Sequence, residues 1–157
     1  MSKIIDITLD ESTIVRWSAD IEHERRVAIY DLLQDNSFKP LRLKTPSQGP
    51  YKLHLLIKDG RLEVHVSDED GQILDVFTIA ITPFRRIIRE YFAICESYYQ
   101  AIRSATPSKI EAIDMGRRGL HNDGSETLQS LLEDKVEVDF DTARRLFTLI
   151  CVLHLKG

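Results

Sequence analysis

The dipeptide Asp59-Gly60 restricts this chain more than any other feature. Alternating apolar and polar residues flank it, from Tyr51 to Lys58 and from Arg61 to Ser67. A two-residue Asp-Gly loop between such runs predicts a type I′ hairpin, because both central positions need positive φ. The turn then fixes the register. Lys58 stands opposite Arg61, Leu56 opposite Glu63, and His54 opposite His65. Leu53, Leu55 and Ile57 share one face with Leu62, Val64 and Val66. A second turn, Asp68-Glu69-Asp70-Gly71, leads into a strand from Ile73 to Ile81, with Phe77, Ile79 and Ile81 facing the core. Val76, Thr78 and Ala80 make its other face apolar as well, which predicts a central strand or one covered on both sides.

The pattern on either side completes the fold class. Ile5, Ile7 and Leu9 alternate with polar residues and predict a half-buried strand. Ser18 or Asp20 caps a helix to about Gln34, with Ala28, Ile29, Leu32 and Leu33 as its apolar stripe and Glu22–Arg26 on the wet side. The three prolines between Phe38 and Pro50 predict a short edge strand and a loop. From Thr82 the period becomes 3.6. Thr82 reads as an N-cap and Pro83 as the first helical residue. Phe84, Ile87, Ile88, Tyr91, Cys95, Tyr98 and Ile102 form a long stripe. Thr106-Pro107 breaks the chain. Ser108 with Glu111 makes a capping box for a helix ending near Gly116 or Gly119. Another helix starts near Ser125, Val136 to Phe140 reads as a strand, and Asp139 or Asp141 caps a final helix. That helix is apolar nearly all round, so it is a central core helix or an oligomer interface. Strands precede helices without βαβ alternation. The expected class is α+β: an antiparallel β-meander with a mainly helical C-terminal half packed on one face. A chain of 157 residues suits a single domain, 1–157, with central hairpins over 51–81 and a helical half over 82–157.

The stretches Ile21-Glu22-His23-Glu24-Arg25, Thr82 to Ile88, Cys95 to Asn122 and Val138 to His154 together resemble uncharacterised protein family 0262, a family of small bacterial proteins. The resemblance spans nearly the whole chain. It implies a bacterial cytoplasmic protein and supplies no activity, substrate or catalytic residue.

Function has to come from side chains. The net charge is −4, yet the segment 83–121 holds seven cations, Arg85, Arg86, Arg89, Arg103, Lys109, Arg117 and Arg118, against four anions, Glu90, Glu96, Glu111 and Asp114. Arg85, Arg89 and Arg103 share a helix side with Phe92 and Tyr99, and guanidinium groups beside rings bind phosphates and bases. The alternative is a solvated face neutralised by local acids such as Glu90. Gly116-Arg117-Arg118-Gly119 resembles the G-x-x-G loop with which KH domains clamp a nucleic-acid backbone. It departs from that pattern, since Leu120 to Gly124 separate it from the next helix. The alternative is a pair of helix C-caps. His121-Asn122-Asp123 offers a base beside a carboxylate, or else a loop capping the next helix. His54 and His65 are weak metal candidates without a firm third ligand; Glu63 is a neighbour. Cys95 and Cys151 read as buried free thiols.

No nucleotide, zinc or redox motif is present, so no cofactor and no resident metal is expected, and no catalytic residue is singled out. No apolar run is long enough to span a bilayer, so no membrane partner is expected and the cytoplasm is the default location. Three functional readings follow. The first is a non-enzymatic, self-associating interaction module with an unknown protein partner, based on the apolar final helix. The second is an anion or nucleic-acid binder using Arg85, Arg86, Arg89, Arg117, Arg118, Gly116, Gly119 and His121, with the acidic net charge weighing against nucleic acid. The third is a small enzyme with His121 as base.

Overall fold

The computed structural model describes residues 2–10 and 19–153. The elements in chain order are β1 (Ile4–Leu9), α1 (Ala19–Gln34), β2 (Phe38–Pro40), β3 (Tyr51–Lys58), β4 (Arg61–Ser67), β5 (Ile73–Ala80), a 3-10 turn (Thr82–Phe84), α2 (Arg85–Ser104), α3 (Pro107–Leu132), β6 (Val136–Val138) and α4 (Phe140–Leu153). Ser18, one of the two expected caps of α1, and His154 lie outside the described residues.

The class is α+β. The Asp59-Gly60 turn has φ of 53° and 73°, as a type I′ turn demands. Lys58, Leu56 and His54 pair with Arg61, Glu63 and His65, so the expected register is the observed one. β5 continues the antiparallel meander on β4. β1 lies parallel to β3 at the other edge, giving the order β1-β3-β4-β5. A parallel pair needs a crossover, and α1 supplies it. The chain therefore contains one β-α-β unit, where the sequence showed no such alternation. The register of β1 shifts between Ile4 and Asp6, so Ile4, Ile7 and Leu9 are buried and Ile5 is 43% exposed. A bulge moves one residue to the opposite face, and strict alternation cannot reveal it.

Buried Asn36 ties the end of α1 to β1. Its amide donates to the carbonyls of Ile4 and Leu32, at 2.9 and 2.8 Å, and its Oδ1 accepts from the Ile4 N–H at 2.7 Å. β5 is an edge strand. Val76 is 44% exposed and Thr78 and Ala80 are open, so the expectation of a strand central or covered on both faces is wrong. Small and β-branched residues suit a wet face of a sheet, so their apolarity does not require cover.

The opposite face of the sheet carries the helices. Leu53, Leu62, Val64 and Phe77 meet Leu128 of α3 and Leu146 of α4. α4 packs on α1 and on α3, and α3 packs on α2. Residues 146–153 of α4 are all buried within the one chain. Of the two readings offered for this helix, the central core helix is the observed one. Asp139 caps it, accepting from the Thr142 N–H at 2.8 Å. Ile102 is exposed, so the stripe of α2 ends before it. Thr82 does not cap α2 with its side chain; the helix is entered through the 3-10 turn, which contains Pro83.

Candidate functional site

The largest departure from the sequence reading is α3. Residues 107–132 form one unbroken helix through all three of its glycines. The cap is Thr106, whose hydroxyl accepts from the Lys109 N–H, with Pro107 behind it. The expected box at Ser108 and Glu111 is therefore two residues late. Gly116-Arg117-Arg118-Gly119 is not a loop, and His121-Asn122-Asp123 is not one either. Two of the glycines stand against neighbouring helices. A methyl group at Gly116 would come within 2.7 Å of Ile94 Cδ1 of α2, and one at Gly124 would overlap the Phe147 ring of α4. Tertiary contact thus outweighs the weak helix propensity of glycine.

Because the helix is continuous, Arg117, Arg118 and His121 fall on one face at spacings i, i+1 and i+4. α4 repeats this arrangement with Arg144, Arg145 and Thr148. The two faces meet with one face of α1, bearing Glu24, Val27, Ala28 and Asp31, and with Tyr91 of α2. Between them lies a cavity of about 260 Å³. Four guanidinium groups and two carboxylates line it.

Arg117 is the best-held cation. Its Nη2 donates to Asp114 at 2.7 Å, its Nη1 stands 3.8 Å from Glu24, and its guanidinium carbon lies 4.2 Å from the centre of the Tyr98 ring. Arg118 pairs with the other oxygen of Asp114 at 2.6 Å but stays largely exposed. The Arg117 hydrogen bond holds the Asp114 carboxyl below its usual range. Arg144 and Arg145 are fixed from one side only. Arg144 Nη1 is 3.9 Å from Asp141 Oδ1, and Arg145 Nη1 donates to the Asp141 carbonyl at 3.1 Å. The Nε of each is buried and has no hydrogen-bond partner. Such donors are rare in native proteins and invite an acceptor.

His121 sits behind these cations. Its ring centre is 5.3 Å from both Tyr91 and Phe147. Nε2 lies 2.7 Å from Thr148 Oγ1, and that hydroxyl donates to the Arg144 carbonyl at 3.3 Å. Nδ1 lies 3.5 Å from Ser125 Oγ, whose hydroxyl donates to the His121 carbonyl at 2.7 Å, so both ring nitrogens of the imidazole have a hydroxyl neighbour. Burial, then the fields of Arg144, Arg117 and Arg145, push its pKa down to about 4.

The other expected site residues do not join this pocket. Arg86 pairs with Glu90 at 2.9 Å on the open face of α2. Arg85 and Arg89 are exposed and do not line the cavity. Phe92 and Tyr99 are half-buried against the core, and the Tyr99 hydroxyl donates to Glu24 at 2.6 Å, so neither ring is a stacking platform. Gly119 faces open space and Gly116 faces α2, so neither cradles a ligand. His54 and His65 stand edge to face at 6.0 Å. His54 bonds Thr8, and His65 bonds Glu63, both at 2.6 Å. Among the described residues no three His, Cys, Asp or Glu side chains cluster to hold a metal. Burial pushes the thiols of Cys95 and Cys151 up. A second depression of about 290 Å³ beside β6 carries Glu133 and Glu137 and no cation.

Sequence reasoning missed Arg144, Arg145, Thr148, Glu24 and Asp31. One signal was available: an arginine pair interrupts an otherwise apolar helix, one turn before Thr148, repeating the spacing of Arg117-Arg118 before His121.

Comparison with known proteins adds kinship. The model of the uncharacterised protein family UPF0262 matches residues 1–156. A protein of that name from Erythrobacter litoralis is 60% identical over 99% of this chain and 98% of its own length. Relatives from Brucella canis and Brucella anthropi are 58% identical over 99% of this chain and 96% of theirs. No solved structure matches.

Proposed function

The chain belongs to the uncharacterised protein family UPF0262, whose name carries no activity, so from the geometry we propose that it binds a small anionic molecule in the pocket between α1, α3 and α4. One observation carries this reading. Arg144 and Arg145 each carry a buried Nε donor without a partner, and both residues line a cavity that also gathers Arg117 and Arg118, in a chain whose net charge is −4. Concentrating cations there against the overall charge has a physical use when a phosphate or carboxylate completes their hydrogen bonds. Neutral His121 and Thr148 add polar edges without adding charge. The walls belong to packed helices, so the site is preorganised.

The test is calorimetric titration with inorganic phosphate. The double variant Arg144→Ala with Arg145→Ala is expected to bind at least about a hundredfold more weakly, since each of the two charged hydrogen bonds contributes about 1.5–3 kcal/mol. Unchanged affinity in a folded variant would remove the reading. A nucleic-acid polymer is a poorer fit, because the exposed arginines of α2 do not extend the pocket. Absence of RNA binding at low salt is the matching expectation.

Self-association loses its motive, because α4 spends its apolar surface on the core of its own chain. A catalytic reading of His121 is favoured by its pocket and shifted pKa. Against it, Nε2 is committed to Thr148, and the lowered pKa weakens the imidazole as a base. No helix among the described residues is long and apolar enough to cross a membrane. The location we propose is the cytoplasm, where free thiols such as Cys95 and Cys151 stay reduced.

A further inference from the structure

Anion binding leaves one wall of the pocket unexplained. Glu24, Val27, Ala28 and Asp31 lie at spacings of three and four, so α1 turns a single face to the cavity. A carboxylate there repels a bare anion. Glu24 has local work: it accepts from the Tyr99 hydroxyl and neighbours Arg117. Asp31 has none. Its carboxylate makes no ion pair or hydrogen bond with the described residues, although it is half-buried and lines the same cavity as Arg144 and Arg145. Those arginines lean instead on Asp141 of their own helix. Opposite charges therefore line one cavity, the Asp31 carboxylate without a partner and Arg144 and Arg145 each with an unpaired Nε. From this juxtaposition we infer that the pocket takes a zwitterion: an anionic group on the arginines of α3 and α4, and a protonated amine on Asp31. The inference rests on the anion-binding reading and narrows it. The cavity of about 260 Å³ has room for a small metabolite.

The opposed walls give the test a change of sign. The full chain and its Asp31→Asn variant are titrated with two pairs of probes: inorganic phosphate with phosphoethanolamine, and acetate with glycine. The responsive pair shows whether the anionic group is a phosphate or a carboxylate. In the unaltered protein the amine-bearing member binds about tenfold more tightly than its bare partner, as expected for one added charged hydrogen bond. Asp31→Asn abolishes that advantage and leaves the bare anion bound equally or more tightly, because a repelling charge is gone. An Asp31→Asn protein that binds both members of a pair more tightly overturns the zwitterion and leaves the anion site intact. So does an amine-bearing probe with no advantage in the unaltered protein. If none of the four probes binds, the anion reading falls and takes this inference with it. Asp31 lies on a helix surface, and an unchanged melting temperature confirms that the variant is folded.

Discussion

A neutral histidine among four arginines is the residue on which the electrostatics of this pocket turn. The pKa of His121 is about 4 in the folded protein, against 6.5 for an ordinary histidine. Below 6.5 the unfolded chain takes up a proton that the native state refuses. The stabilisation is therefore complete above pH 6.5 and is lost as pH falls toward 4. Between about pH 7.5 and about pH 5.5 the loss amounts to about 1 kcal/mol. Urea melts at the two pH values, with His121→Gln alongside, isolate it. The other four histidines are common to both proteins and cancel in the difference. The unaltered protein should lose about 1 kcal/mol more than the variant, and equal losses would show that His121 titrates freely.

At the scale of the element, α3 separates what was legible from what was not. Gly119 faces open space inside a helix, so Gly119→Ala should stabilise by about 0.5–1 kcal/mol. A glycine closing a helix in the left-handed region would give the opposite sign, but among the described glycines only Gly49, Gly60 and Gly71 have positive φ. Gly124→Ala drives a methyl group into buried Phe147 and should destabilise by about 2–3 kcal/mol in the same urea melts. Gly116→Ala meets only the free end of Ile94 and should change little. Local chemistry made the hairpin readable, because the φ values that Asp59-Gly60 favours are set within two residues. The same local chemistry misled at Gly116 and Gly119, which read as C-caps but lie inside one helix; the glycine that a partner distant in the chain explains is Gly124, against Phe147. The site suffered accordingly. Arg117, Arg118 and His121 were noticed for their charge and chemistry, but their companions Arg144, Arg145, Glu24 and Asp31 come from helices whose adjacency no spacing within one segment reveals. The parallel seat of β1 was hidden for the same reason: it depends on α1 returning the chain to β3, not on anything within residues 4–9.

For the whole molecule, what matters is that the pocket walls are not separable parts. α1, α3 and α4 contribute to one contiguous core, which runs from Ile7 and Leu53 of the sheet through Leu128 to Phe147 and Leu149. α1 is also anchored to β1 through Asn36. A ligand that bridges these helices therefore binds the native state as a unit, and its free energy appears as global stability. At a concentration about a hundredfold above the dissociation constant, a ligand of the pocket adds about 2.7 kcal/mol. For a chain of this size that raises the melting temperature by roughly 5–10 °C. In urea the midpoint should rise while the slope of the transition stays fixed, because the surface exposed on unfolding is the same. The contrary outcome is also definite. A ligand that splits the melt into two transitions, or changes its slope, would mean that α1 detaches from the core before the rest unfolds. The cavity would then be a hinge between two cooperative units, and the preorganisation credited to its arginines would be lost.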